Sequence, residues 1–215
     1  MSTRLDALCS ALGLGPGADP ILELVRALYA ELDEDLEART GDLRLPCKAG
    51  CDACCHESVF LSAPELLLAV RSLWENGPSE VQRVTDEMCA LAERFADELE
   101  LLETVEGDER DEVALRVRFR CPLLVSSRCS IYRGRELNAR TFGASLDSKH
   151  GVAYGCELTR EHLVTIGVIG ERLTRLPGAR EARARLAEKL PGTERAHVYP
   201  WWFQKYREWI LVGPP

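Results

Sequence analysis

The chain has 215 residues, 46% of them hydrophobic and 29% charged, with 27 Lys and Arg against 35 Asp and Glu and a net charge of -8. That content can bury one sizeable core and excludes a disordered chain, while the acidic balance argues against a broad nucleic-acid surface, which needs clustered Lys and Arg. No apolar run approaches the ~20 residues of a membrane span, and Arg4 and Asp6 interrupt the apolar stretch that a secretory leader would need, so no membrane contact and a cytoplasmic location are expected.

In chain order, the spacing of apolar residues over 3–12 predicts a short amphipathic helix carrying Cys9, ended by the Gly and Pro that follow. Asp19 and Pro20 read as the N-cap and first turn of a second helix, and Ile21, Leu24, Val25, Leu28, Tyr29, Leu32 and Leu36 keep one face apolar as far as 39–41. From 41 to 57 the periodicity disappears into Gly, Pro, Asp and Cys, a loop whose shape a bound metal could fix. A short extended piece at 58–61 precedes Ser62 and Glu65, a capping box for a helix to about Trp74. Pro78 and Ser79 start a long third helix to Gly107, with Val81, Val84, Met88, Leu91, Phe95, Leu99 and Leu102 at helical spacing and Cys89 within it. Val113, Leu115, Val117 and Phe119 alternate with Arg116 and Arg118, which predicts a strand leading into Cys121. A short helix at 136–142, a Gly-rich loop to Cys156 and helices near 159–175, 180–190 and 200–211 follow, with Thr159 and Pro200 as starters.

Nine cysteines without an export signal point away from structural disulfides and towards metal or redox chemistry. Cys47, Cys51, Cys54 and Cys55 form C-x3-C-x2-C-C, four thiols within nine residues. Soft thiolates bind zinc, copper(I) or iron-sulfur clusters, and such gaps let a loop wrap several sulfurs around one centre. Cys54 and Cys55 point apart on an extended backbone, so either a turn brings both inward or one serves a second centre. Lys48 is expected to lower nearby thiol pKa values. Cys121 before Pro122, Cys129 after Ser-Ser-Arg and Cys156 after Gly155 lie in similar turns, and seven thiols exceed the four of a tetrahedral site. Either one tetrathiolate site has spare thiols or two metals share the set.

These pieces, CKAGCDACC at 47–55, CPLL at 121–124, CSIY at 129–132 and a weaker match at 135–140, resemble the YkgJ-like cysteine cluster family, regarded as zinc- or iron-chelating domains. The resemblance covers roughly 47–156 and implies metal chelation with no defined substrate or reaction. Family members carry R-P-x-x-C-R after the CSIY piece, whereas this chain has Glu136 in place of the proline and Ala139 in place of the cysteine, which removes one ligand.

Elsewhere the blander readings are preferred. Cys9 and Cys89 lie in helices and read as small buried apolar residues. His56 beside the cluster competes with better soft ligands, and His150, His162 and His197 show no ligand spacing. Arg133, Arg135 and Arg140 read as turn-capping or ion-pairing groups more readily than as an anion site. The Arg-rich stretch 172–185 reads as a solvated helix face, and Trp201, Trp202, Phe203, Tyr206 and Trp209 as core-docking aromatics, with a protein-partner patch as the alternative. Cys47, Cys51 and Cys54 also have the spacing of a radical S-adenosylmethionine motif, and Cys51 and Cys54 that of a redox pair, but neither the parallel barrel nor the βαβ unit those chemistries need is visible.

The expectation is therefore a mainly α chain in which an irregular cysteine-rich metal-binding core is packed by amphipathic helices, with a small strand element. It divides into an N-terminal helical segment (1–40), a cysteine-cluster region (41–158) and C-terminal helices (159–215) within one compact domain. Cys47, Cys51, Cys54, Cys55, Cys121, Cys129 and Cys156 are the expected ligands of zinc or iron, the latter including a four-iron, four-sulfur cluster. The functional alternatives are an iron-sulfur-dependent oxidoreductase or protein-modifying enzyme, and a metal-stapled interaction module.

Overall fold

A computed structural model describes residues 2–144, 146–149, 152–168, 179–190 and 196–212, and these are mainly helical. The apolar stripe of α2 (Ala18–Thr40) is buried at Leu22, Val25, Leu28, Tyr29, Leu32 and Leu36. It packs against α1 (Ser2–Ala11) and against α3 (Ala63–Trp74), the central helix, whose residues 66–70 are all buried together with Leu73 and Trp74. Asp19 is not the cap of α2. Gly17 is, and the Asp6 carboxylate on α1 accepts from Ala18 N–H at 2.8 Å, so a neighbouring helix satisfies the first-turn donor.

The capping box of α3 is present, and its Glu65 does more than cap. Oε2 accepts from the Ser62 amide (2.8 Å) and hydroxyl (2.7 Å), while Oε1 accepts from Leu137 N–H at 2.9 Å, the first amide of α7 (Leu137–Thr141). One buried carboxylate thus joins two helix starts far apart in sequence.

The expected helix from Pro78 to Gly107 is two helices, α4 (Pro78–Arg94) and α5 (Ala96–Thr104), broken at Phe95 (φ -111°, ψ 28°). Its apolar positions are correct, but the break turns the stripe. Val81, Val84 and Met88 join the main core around α3, whereas Ala92, Phe95, Leu99 and Leu102 join a second cluster with Val113 and Val117. The expected strand at 113–119 is absent. Val113 and Ala114 end α6 (Gly107–Ala114), and Leu115 is 49% exposed; Val113 and Val117, four apart, both reach the second cluster across a turn, which imitates period-2 spacing.

Three antiparallel strand pairs supply the rest of the frame among the described residues. β1 (Phe60–Ser62) pairs with β6 (Ala196–Val198), with Leu61 opposite His197. β2 (Leu124–Val125) and β3 (Arg128–Cys129) close around Ser126 and Ser127, both at positive φ, the signature of a type I′ turn. The segment read as a Gly-rich loop before Cys156 contains β4 (Leu146–Lys149) and β5 (Val152–Gly155).

α8 (Glu157–Thr165) starts after Cys156, not at Thr159, whose hydroxyl donates to Gly143 carbonyl at 2.6 Å. α9 (Ala179–Lys189) covers the described part of the Arg-rich stretch; Arg172, Arg175 and His150 lie outside the described residues. Pro200 sits in the first turn of α10 (Tyr199–Lys205), and α10 and α11 (Arg207–Leu211) return to α4. Tyr199, Trp202 and Phe203 are buried, Trp202 donates to Leu61 carbonyl at 2.9 Å, and Trp209 remains 39% exposed. Among the described residues, no helix is long and apolar enough to cross a membrane.

Candidate metal centre

Three segments meet at one cavity. The first is the 47–57 loop, which folds by short-range backbone bonds: Cys51 N–H to Lys48 carbonyl and Cys55 N–H to Asp52 carbonyl, both 2.9 Å, with a 3-10 turn at Ala53–His56. That turn resolves the adjacent-cysteine problem, since Cys54 and Cys55 both face the cavity and hydrogen-bond one another. The second is the 121–131 hairpin. Cys121 N–H donates to Cys55 carbonyl at 2.7 Å, Ser58 hydroxyl bonds Val117 carbonyl, and Glu57 pairs with Arg118, so the two segments are strapped side by side. The I′ turn returns the chain so that Cys129 lies opposite Leu124, and Arg83 holds Pro122 carbonyl at 2.8 Å from α4. The third comprises α7 and Cys156, whose N–H donates to Phe142 carbonyl at 3.4 Å.

Cys47, Cys51, Cys54, Cys55, Cys121, Cys129 and Cys156 all line this cavity, which is open to solvent. Cys9 and Cys89 do not; they are buried near Gly17 and Phe203 carbonyls respectively. All nine are free thiols, and among the described residues no three Cys, His, Asp or Glu donors converge as a ready-made ion site. The seven thiols are gathered, not clenched.

The approach of the loop to α7 is tight at one point. A Cβ at Gly143 would collide with Cys47 Cβ and Sγ, so only glycine there lets Cys47 reach the cavity wall, and Thr159 holds that glycine's carbonyl.

Burial raises the thiols of Cys47, Cys121 and Cys129 above the ordinary range. Loss of solvation raises Cys121 to about 12, against the help of Leu123 N–H, and Cys129 to about 11, against that of Ile131 N–H. Cys54 is raised chiefly by its bond to Cys55. The lowering expected from Lys48 is not what dominates: Lys48 lines the cavity, but the cation that opposes the upward shifts of Cys47, Cys54 and Cys129 is Arg135. Arg135 stacks on Tyr132, with its guanidinium carbon 3.7 Å from the ring centroid, and donates to Tyr132 carbonyl at 2.9 Å.

No family model, characterised protein or solved structure matches the chain.

The other residues singled out from sequence have structural partners. Arg140 is buried, pairs with Asp33 at 2.7 Å, and bonds the carbonyls of Arg133 and Arg135, fixing the backbone from which Arg135 projects. His56 is exposed beside Asp52, His162 meets Leu43 carbonyl at 2.8 Å, and His197 stacks on Trp201 with centroids 3.8 Å apart. Sequence reading missed Tyr199 and Phe119 as lining residues and Gly143 as the seat of Cys47. It noted Glu136 only as a departure from a motif, yet Glu136 is 3% exposed, lines the cavity and accepts from Tyr199 hydroxyl at 2.6 Å. Nothing local in the sequence distinguishes these positions, because each depends on segments far apart along the chain.

Proposed function

We propose that this chain binds zinc or iron through thiolates of Cys47, Cys51, Cys54, Cys55, Cys121, Cys129 and Cys156, as a member of the YkgJ-like cysteine cluster group. The single observation that carries the reading is selective gathering: seven cysteines chosen by sequence setting line one cavity, and the two assigned to helix interiors do not. The donors are right in kind for a soft or borderline cation, and burial makes Cys47, Cys121 and Cys129 costly to ionise without one. Because the thiols are gathered without converging among the described residues, metal binding would couple to local ordering of the cavity lining. A bound zinc ion would staple the three segments together, whereas an iron-sulfur cluster would supply electron transfer.

Full-length protein purified without oxygen, analysed for metal and by absorption, tests this. Zinc gives a colourless protein destabilised by chelator, and an iron-sulfur centre a brown, oxygen-sensitive one. Cys51→Ser with Cys54→Ser should remove the metal. Recovery of neither metal, with folding unchanged in the double variant, overturns the reading. Seven thiols at one cavity exceed one tetrahedral shell, which favours a two-metal or cluster arrangement as the second reading, separable by metal-to-protein stoichiometry.

A further inference from the structure

We infer that Glu136 supplies an oxygen ligand to the metal, so that the donor set of this chain is thiolate and carboxylate together; the inference rests on the metal-binding reading above. Glu136 occupies the N-cap position of α7 and lines the cavity together with the seven cysteines, and Ala139, one helical turn on, lines it without a donor. Its carboxylate accepts from Tyr199 hydroxyl and from its own amide, out of about four acceptor positions.

No guanidinium or ammonium is bonded to Glu136 among the described residues. Arg135 is engaged with Tyr132, and Arg140 with Asp33 and two backbone carbonyls. Tyr199, Glu65 and Arg135 are the ionisable neighbours of Glu136, and it shares the cavity lining with Cys54, Cys121 and Cys129. An unpaired carboxylate in a buried wall is costly. A divalent cation shared with the cavity cysteines removes that penalty, and zinc and iron accept carboxylate oxygen alongside sulfur. Tyr199 then serves as a positioning residue, holding Oε2 in the manner of hydrogen-bonded carboxylate ligands in other metal sites.

X-ray absorption at the zinc edge of the zinc-loaded full-length chain tests this. The expected shell has sulfur at about 2.3 Å and one oxygen at about 2.0–2.2 Å. Glu136→Cys should replace that oxygen by sulfur, and Glu136→Gln should weaken zinc about 100-fold in competition with a chromophoric chelator. An all-sulfur shell in the wild-type chain overturns the inference without recourse to any variant, as does an unchanged shell in Glu136→Cys. A wild-type chain that retains neither zinc nor iron brings down the metal reading itself, an outcome distinct from these.

Discussion

At the scale of single residues, the cavity depends on side chains that carry no metal-binding signature. Gly143 is the sharpest case. Gly143→Ala should displace Cys47 and cost about 1–3 kcal/mol by overpacking, readable as a lowered denaturation midpoint, and should weaken zinc at least about tenfold. A variant that binds zinc as wild type does would mean that Cys47 is dispensable. Glu136 gives a pH test on chelator-treated protein. Loss of solvation raises its carboxyl above the ordinary range, opposed by Tyr199, so its contribution to stability is complete below the unfolded carboxyl value and is lost as pH rises through the folded one. Glu136→Gln lacks this dependence. Its stability relative to wild type should therefore increase from acid to neutral pH, and a pH-independent difference would contradict the assignment.

Among the secondary-structure elements, the β2–β3 hairpin is what delivers Cys129, and it does so through two serines in left-handed backbone, φ 49° and 59°. Non-glycine residues pay for that conformation, so Ser127→Gly should raise the unfolding free energy by about 1 kcal/mol while leaving metal content unchanged. Amphipathic helices were the readily legible elements, because burying a stripe at 3.6-residue spacing leaves its mark in local composition: the apolar positions of α2 and of 81–102 are where the sequence puts them. What local pattern cannot carry is direction. The break at Phe95 exists because two separate clusters claim the two ends of one stripe, and the false strand at 113–119 arose because Val113 and Val117 satisfy either periodicity. The α2 cap was misassigned for a related reason: its acceptor, Asp6, comes from another helix. The seven cysteines were legible as a set through their turn settings, whereas Glu136, Tyr199 and Gly143 acquire their roles only from partners distant in sequence.

For the molecule as a whole, the main core gathers residues from Leu5 to Ile210, and the C-terminal helices are integral to it. Phe203, 1% exposed, packs in this core, and Trp74 Nε1 donates to Ile210 carbonyl at 2.9 Å. Phe203→Ala should cost about 3–5 kcal/mol, measured by chemical denaturation. Because Tyr199 lies on the same helix and touches Glu136, that variant should also weaken zinc binding, whereas a purely local packing defect would leave affinity unchanged.

The pairing of β1 with β6, and of Glu136 with Tyr199, has a consequence for biosynthesis. The cysteine loop leaves the ribosome 199 − 55 = 144 residues before Tyr199 does, roughly 7–30 s at ordinary elongation rates. During that interval four thiols are extruded with no floor beneath them. Metal acquired early would bind a half-built pocket and template the arrival of the remaining segments, whereas oxidants would meet the same thiols before the fold can shelter them. The order of synthesis makes the nascent chain, more than the finished protein, the stage at which this cluster is most open to both.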